Sequence, residues 1–202
     1  VVTTPLRTAC DLGRLLWRFD AFAALDAFRR AGVPEAQLLS EVERFRGYRG
    51  VRQLRAFAPL SDPLAESPAE SALRLAWYDA ALPPPTLQHW VEDDDGVATY
   101  RLDLALPEIR YAAEYDGEDF HSSPRQRAHD HDRRDWLTGR GWHIDVFAKS
   151  DIYGIRADAE VRLRVGFHDA RRGSAPWSLA RRSTTSATSA AYGQPRLPPR
   201  RA

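Results

Sequence analysis

The stretch that most constrains this chain is YRLDLALPEIRYAAEYDGEDFH, from Tyr100 to His121. It reads as two β-strands joined by a short turn containing Pro107, the second running into Gly117. Asp103, Glu114, Asp116 and His121 are set among apolar residues on and just beyond those strands. A carboxylate inside a strand core needs a cationic partner, a metal or a chemical task, because burying an isolated charge is expensive.

The flanking segments place this hairpin in an ordered series. Ser67-Pro68 opens a helix, with Glu70 in its first turn, that runs to about Ala81 and ends at Leu82-Pro83-Pro84-Pro85. Glu70 and Arg74, four residues apart, share one side of it. Thr86 to Glu92 is a first strand, Asp93-Asp94-Asp95-Gly96 a hairpin turn, and Val97 to Leu106 a second strand. Ile109 to Asp116 is nearly unbroken in apolar character, as a central strand covered on both faces is. Pro124 to Arg140 reads as helix, Trp142 to Phe147 as a fourth strand, and Asp151 to about His168 as a closing helix. The order from residue 67 is therefore α-β-β-β-α-β.

Ahead of this lies a helical region, residues 1 to 57. Thr4-Pro5 is a helix start, and Leu6, Ala9, Cys10, Leu12, Gly13, Leu16 and Trp17 form one helical stripe. Further helices are expected over Ala21 to Ala31, closed by Gly32, over Glu35 to Phe45, and over Val51 to Phe57 after the GYRG break. The Pro- and Ser-rich residues 58 to 68 read as a linker, and residues 69 to 168 as the α/β domain. The Ser-, Thr-, Ala-, Pro- and Arg-rich residues 169 to 202 read as a disordered tail.

Composition narrows the function. No run approaches a membrane span, and Cys10 is the only cysteine, so neither an internal disulfide nor a Cys-based metal cluster can form. A cytoplasmic home is the default for such a chain. No methionine occurs, position 1 included, which points to a start inside a longer reading frame. From Asp169 onward seven Arg face one Asp, so the body before it is net acidic despite the overall charge of +1. That is not the bulk basic footprint of a dedicated nucleic-acid binder.

Glu114 and Asp116 share one strand face, and Asp103 on the neighbouring strand lies close across the turn. Carboxylates converging there repel each other unless a cation sits between them. Oxygen ligands of this kind suit Mg2+ or Mn2+, the cations of phosphodiester hydrolysis. His121, near its unperturbed pKa of ~6.5, can take the proton of an attacking water. The bland alternative pairs Asp103 and Glu114 with arginines such as Arg101 or Arg110, and makes Asp116 an Asx turn before Gly117. The His129-Asp130-His131-Asp132 run cannot converge on one point of a helix and reads as solvated surface. Cys10 reads as a buried apolar residue, and Trp136 and Trp142 as core.

At this point the pattern resembles the PD-(D/E)xK restriction-endonuclease-like superfamily. More narrowly, residues 66 to 152 resemble very-short-patch-repair-endonuclease-like domains. The matching pieces are Glu66-Ser-Pro-Ala-Glu70 with Leu73-Arg74, the Leu82-Pro83-Pro84-Pro85 run, and Arg101-Leu102-Asp103-Leu104. Glu114-Tyr115-Asp116-Gly117 with His121, Arg134-Asp135 with Leu137, and Gly141-Trp142 with Asp151 complete them. The resemblance implies an α/β restriction-endonuclease-like core, a mixed sheet flanked by helices, acting on DNA. It implies Asp103 and Glu114 as ligands of Mg2+ or Mn2+, His121 as general base, and Glu70 as the helix acid orienting metal-bound water. Asp116 stands where the superfamily usually keeps lysine, and the structural zinc of the repair endonucleases has no Cys-rich equivalent here. Thr4 to Val51 resembles the helical stretch of actinobacterial proteins that carry an abortive-infection type IV antitoxin-like domain. The second reading is therefore a catalytically inactive, antitoxin-like DNA-binding regulator with a toxin partner.

Overall fold

The computed structural model describes residues 2–117, 124–155 and 157–174, with backbone only for 124–130 and 174. Helices α1 (Pro5–Leu15), α2 (Arg18–Arg30), α3 (Glu35–Glu43) and α4 (Val51–Phe57) come first. Then follow α5 (Pro68–Asp79), β1 (Thr86–Glu92), β2 (Ala98–Leu106), β3 (Tyr111–Tyr115), α6 (Pro124–Gly139), β4 (His143–Phe147), α7 (Lys149–Ile152) and α8 (Ala159–Ser174). The α-β-β-β-α-β order read from the sequence is present, in an α/β arrangement with a mixed sheet flanked by helices. Among the described residues no helix is long and apolar enough to cross a membrane.

The starts follow the capping chemistry of the sequence. Thr4 Oγ1 accepts from the Arg7 N–H at 3.2 Å with Pro5 in the first turn. Ser67 Oγ accepts from the Glu70 N–H at 3.1 Å with Pro68 behind it. The closing helix is broken where the sequence reads it as continuous. The chain leaves α7 at Tyr153, Gly154 takes φ +102°, and helix resumes at Ala159. Helix α8 then runs to Ser174, past the expected end at His168; the tail beyond it lies outside the described residues.

The sheet order is β1-β2-β3-β4, with β1/β2 and β2/β3 antiparallel and β3/β4 parallel. On one face α5 and α8 enclose Leu73, Trp77, Leu104, Tyr111, Ala113, Phe147 and Leu163. Trp77 stacks on Tyr111 with ring centroids 5.4 Å apart, and the Tyr111 hydroxyl donates to Asp145 at 2.9 Å. On the other face Leu137 of α6 and Trp142 cover Leu102, Ala105 and Ala112. Tyr111, Ala112, Ala113 and Glu114 are buried in succession, as expected for a strand covered on both sides.

The helical region has its own core of Phe22, Leu25, Leu38, Phe45 and Leu54, joined by Leu75 from α5. The intervening residues 58–68 are packed rather than loose. Ser61 is buried with its hydroxyl on the Ala58 carbonyl at 2.7 Å, and the Asp62 N–H donates to Asp26 at 2.9 Å. Arg74 does not pair with Glu70 on the α5 surface. It turns inward, and its guanidinium meets both Asp26 oxygens at 2.6 Å with each side chain about 1% exposed.

Candidate functional site

The site forms where the sheet stops being regular. Register pairs Leu87 with Leu104 and His89 with Leu102, so Gln88 and Asp103 lie opposite each other between them. Residues two apart on a strand share a face. Here they do not: Leu87 and Leu104 pack against the Trp77 side, while Leu102 joins the Leu137 cluster and His89 lies 5.5 Å from the Trp142 ring. Both strands rotate through Gln88 and Asp103. Gln88 takes φ +51°, a left-handed conformation uncommon for a residue with a side chain. Its amide then reaches Glu70 Oε2 at 2.8 Å, while Gln88 Oε1 is buried with no hydrogen-bond partner among the described residues.

Strands β2 and β3 also part here. Their pairing stops at Leu104 with Ala113, while β3 continues beside β4 to Tyr115. Backbone groups exposed by such a split need new partners. Asp103 Oδ2 accepts the Tyr115 N–H at 3.0 Å. Arg133 Nη2 of α6 donates to the Arg101 carbonyl at 2.9 Å. A carboxylate and a guanidinium thus fill the gap between two strands.

Arg133 also takes Glu114 from the end of β3. Nη1 donates to Glu114 Oε2 at 2.8 Å, and Nη2 makes a second, shorter bond to Oε1. Glu114 is only 8% exposed. On the helix side, Glu70 Oε2 accepts the Glu66 N–H at 3.0 Å beside its bond from Gln88, so its carboxylate is fixed toward β1. Burial pushes the Asp103 carboxyl up to about 6. The charges of Glu70 and Glu114 push the same way, while the Tyr115 N–H and Arg133 oppose them.

The sequence-derived residues therefore assort unequally. Asp103 and Glu114 stand on adjacent strands at the split, and Glu70 lies near enough to repel Asp103. Asp116 lies past the end of β3, exposed, its N–H on the Phe147 carbonyl at 2.9 Å. It shares with Glu114, Tyr115, Arg133, Arg134 and Val146 a cleft of about 120 Å3. His121 lies outside the described residues. Of the arginines named as neutralising partners, Arg101 pairs with Glu66 through two bonds of 2.8 Å. Arg110 sits at the far end of β3 beside Gly141. Arg133 fills that role for Glu114, and Gln88 supports Glu70. Neither carries a motif; the only sequence signal for Arg133 is its helical spacing from Trp136 and Leu137.

Other candidates resolve as bland. His131 and Asp135 form an exposed pair on α6 at 3.3 Å, while the side chains of His129 and Asp130 lie outside the described residues. Cys10 is fully buried, and burial pushes its thiol up to about 11. A larger hollow of about 760 Å3, lined by Arg110, Gly141 and His143 among others, lies at the opposite ends of β3 and β4, away from the acids.

Among the described residues no group of three or more His, Cys, Asp or Glu side chains is disposed to hold a metal ion in this conformation. The donor chemistry nevertheless fits a hard cation: oxygen ligands only, with Asp103 burdened by two neighbouring carboxylates. Both oxygens of Glu114 are engaged by Arg133 on one edge, so a cation taking that edge displaces at least one of those bonds.

The chain is 35% identical over 169 residues to two proteins of Mycobacterium tuberculosis. They are the uncharacterized protein MT2308 of strain CDC 1551 / Oshkosh and the uncharacterized protein Rv2248 of strain ATCC 25618 / H37Rv. The match covers 83% of this chain and 61% of each relative, so the chain spans about three fifths of their length. No family model and no solved structure matches it.

Proposed function

We propose that this chain is a metal-dependent, endonuclease-like phosphodiesterase acting on DNA, built on a restriction-endonuclease-like core. The observation that carries the reading is the β2/β3 split, which sets Asp103 beside Glu114 with Glu70 fixed above them by the first turn of α5. A part-buried carboxyl raised by desolvation, with two further carboxylates acting on it, marks a candidate functional site. In this reading Asp103 and Glu114 hold Mg2+ or Mn2+. When bound, the cation polarises the phosphate and lowers the pKa of water. Glu70 orients that water, His121 takes its proton, and Asp116 lines the entrance beside Glu114. The buried single cysteine suits a reducing cytoplasm.

The test is plasmid nicking in Mg2+ or Mn2+ by the full chain, beside Glu114→Ala and His121→Ala. Nicking that falls by at least a hundredfold in both variants supports the reading, in line with loss of a general base. No nicking above the variants in either metal overturns it. A second reading is favoured by two observations: Glu114 is neutralised by Arg133, and Asp116 stands where the resemblance expects lysine. In that reading the chain is an inactive DNA-binding regulator, antitoxin-like, with a toxin partner. DNA binding retained in both variants, with no nicking, selects it.

A further inference from the structure

The reading above leaves the site without a lysine on β3, yet a cation is present. Arg133 comes from α6, and its fork closes on Glu114 while one arm caps the Arg101 carbonyl. Its guanidinium carbon also lies 5.7 Å from the Tyr100 ring centroid. Its side chain is 23% exposed, and it lines the cleft with Arg134 and Asp116. Three features of this arrangement matter together. A planar guanidinium fits a carboxylate and a phosphate with the same pair of donors. A guanidinium fork takes one lone pair on each carboxylate oxygen and neutralises the group, so a metal claiming the same edge must displace it. And the Arg101 carbonyl and Tyr100 ring hold Arg133 independently of Glu114, so releasing Glu114 does not strand the charge.

We propose that Arg133 is the phosphate-binding cation of this site: it occupies Glu114 while no metal is bound, and passes to the DNA phosphate when a divalent cation takes Glu114. This rests on the phosphodiesterase reading for its substrate, but not for its competition with metal. The missing strand lysine is thereby replaced from the helix covering the opposite side of the cleft. Metal and Arg133 compete for the same edge of Glu114, so metal binding there releases the arginine toward the substrate.

The experiment measures Mn2+ binding to the full chain without DNA, by electron paramagnetic resonance of free Mn2+, for wild type, Arg133→Gln and Arg133→Lys. Removing the competing fork tightens Mn2+ binding about tenfold in Arg133→Gln, ~1.4 kcal/mol. Arg133→Lys, which keeps the charge but not the fork, gives a smaller tightening and serves if the Gln variant does not fold. With Ca2+ in place of Mn2+, the affinity of Arg133→Gln for a short DNA duplex falls about tenfold. A merely structural arginine leaves Mn2+ affinity unchanged or weakens it, and either result overturns the proposal, as does unchanged DNA affinity. Failure of Mn2+ to bind any of the three proteins also overturns it. If Mn2+ binds tighter in the variant but wild type nicks no plasmid, the competition stands and the nuclease reading falls. If wild type nicks and Mn2+ affinity does not respond, the nuclease reading stands and the role of Arg133 falls.

Discussion

Asp103→Asn separates the contribution of this carboxyl to the site from its effect on the fold. Asn keeps an acceptor for the Tyr115 N–H, so the bond at 3.0 Å survives the change. What disappears is the penalty on the charged form. Burial first, then Glu70 and Glu114, raise the carboxyl from 3.8 to about 6. That difference corresponds to at most ~3 kcal/mol against folding once the group is ionised in both states. Asp103 retains partial exposure, and solvent screening brings the expected effect to about 1–3 kcal/mol. The sign follows from proton counting. Well below pH 3.8 both folded and unfolded chains hold the proton, and wild type and variant differ little. Between the unfolded and folded values the folded chain binds more protons, so wild-type stability falls as pH rises, and above the folded value the full penalty is present. Urea unfolding followed by circular dichroism from pH 4 to 8 should show the variant more stable by about 1–3 kcal/mol at pH 8, with the gap closing toward pH 4. Saturating Mg2+ at pH 8 should narrow the gap by stabilising wild type alone. A gap flat across pH, or a variant less stable at pH 8, refutes the burial account of Asp103.

Arg74→Met leaves Asp26 buried without its partner and should cost about 3–5 kcal/mol in urea unfolding, whereas Arg74→Met with Asp26→Asn should recover most of it. Gly166→Ala should lower stability by about 1–3 kcal/mol in thermal melts. A Cβ there would lie 1.9 Å from Asp145 Oδ2 and 2.8 Å from the Tyr111 ring, forcing apart the Tyr111–Asp145 bond.

Much of the architecture was legible because it is written in local signals. Pro5 and Pro68 with their Thr4 and Ser67 caps mark two helix starts. Thr86 to Glu92 is a strand with the same ends in the sequence reading and the fold. The apolar run before Asp116 gives a strand buried on both faces. What stayed hidden is long-range or conformational. Asp26 and Arg74 are 48 residues apart, and nothing local tells Arg74 to prefer Asp26 over Glu70. Simple alternation makes Asp116 a strand residue beside Glu114, but β3 ends at Tyr115, and Asp116 joins Glu114 only as an exposed wall of the same cleft. The turn through Gln88 is illegible because Gln has no preference for positive φ; only the demands of Glu70 and Asp103 on either side explain it. Arg133 was one of many arginines, and its partner depends on how α6 docks.

Several failures of local rules meet at the site. Gln88 holds a strained backbone, with a cost of order 1–3 kcal/mol for such a residue. Asp103 is part-buried against its own charge, Gln88 Oε1 lacks a partner among the described residues, and β2 and β3 give up ladder pairing beside it. Away from the site Tyr111 finds Asp145, and the Trp77 indole N–H donates to the Pro83 carbonyl at 2.7 Å. A sequence shaped by stability alone would place Gly at 88 and a neutral residue at 103, and would let the two strands pair to their ends. Local inconsistency without compensation is expected where a site is retained for chemistry rather than packing. The same physics limits how the site works. Opening Glu114 to a cation removes its neutralising arginine, so the cation and the phosphate must together restore the charge balance that Arg133 supplies in the closed arrangement.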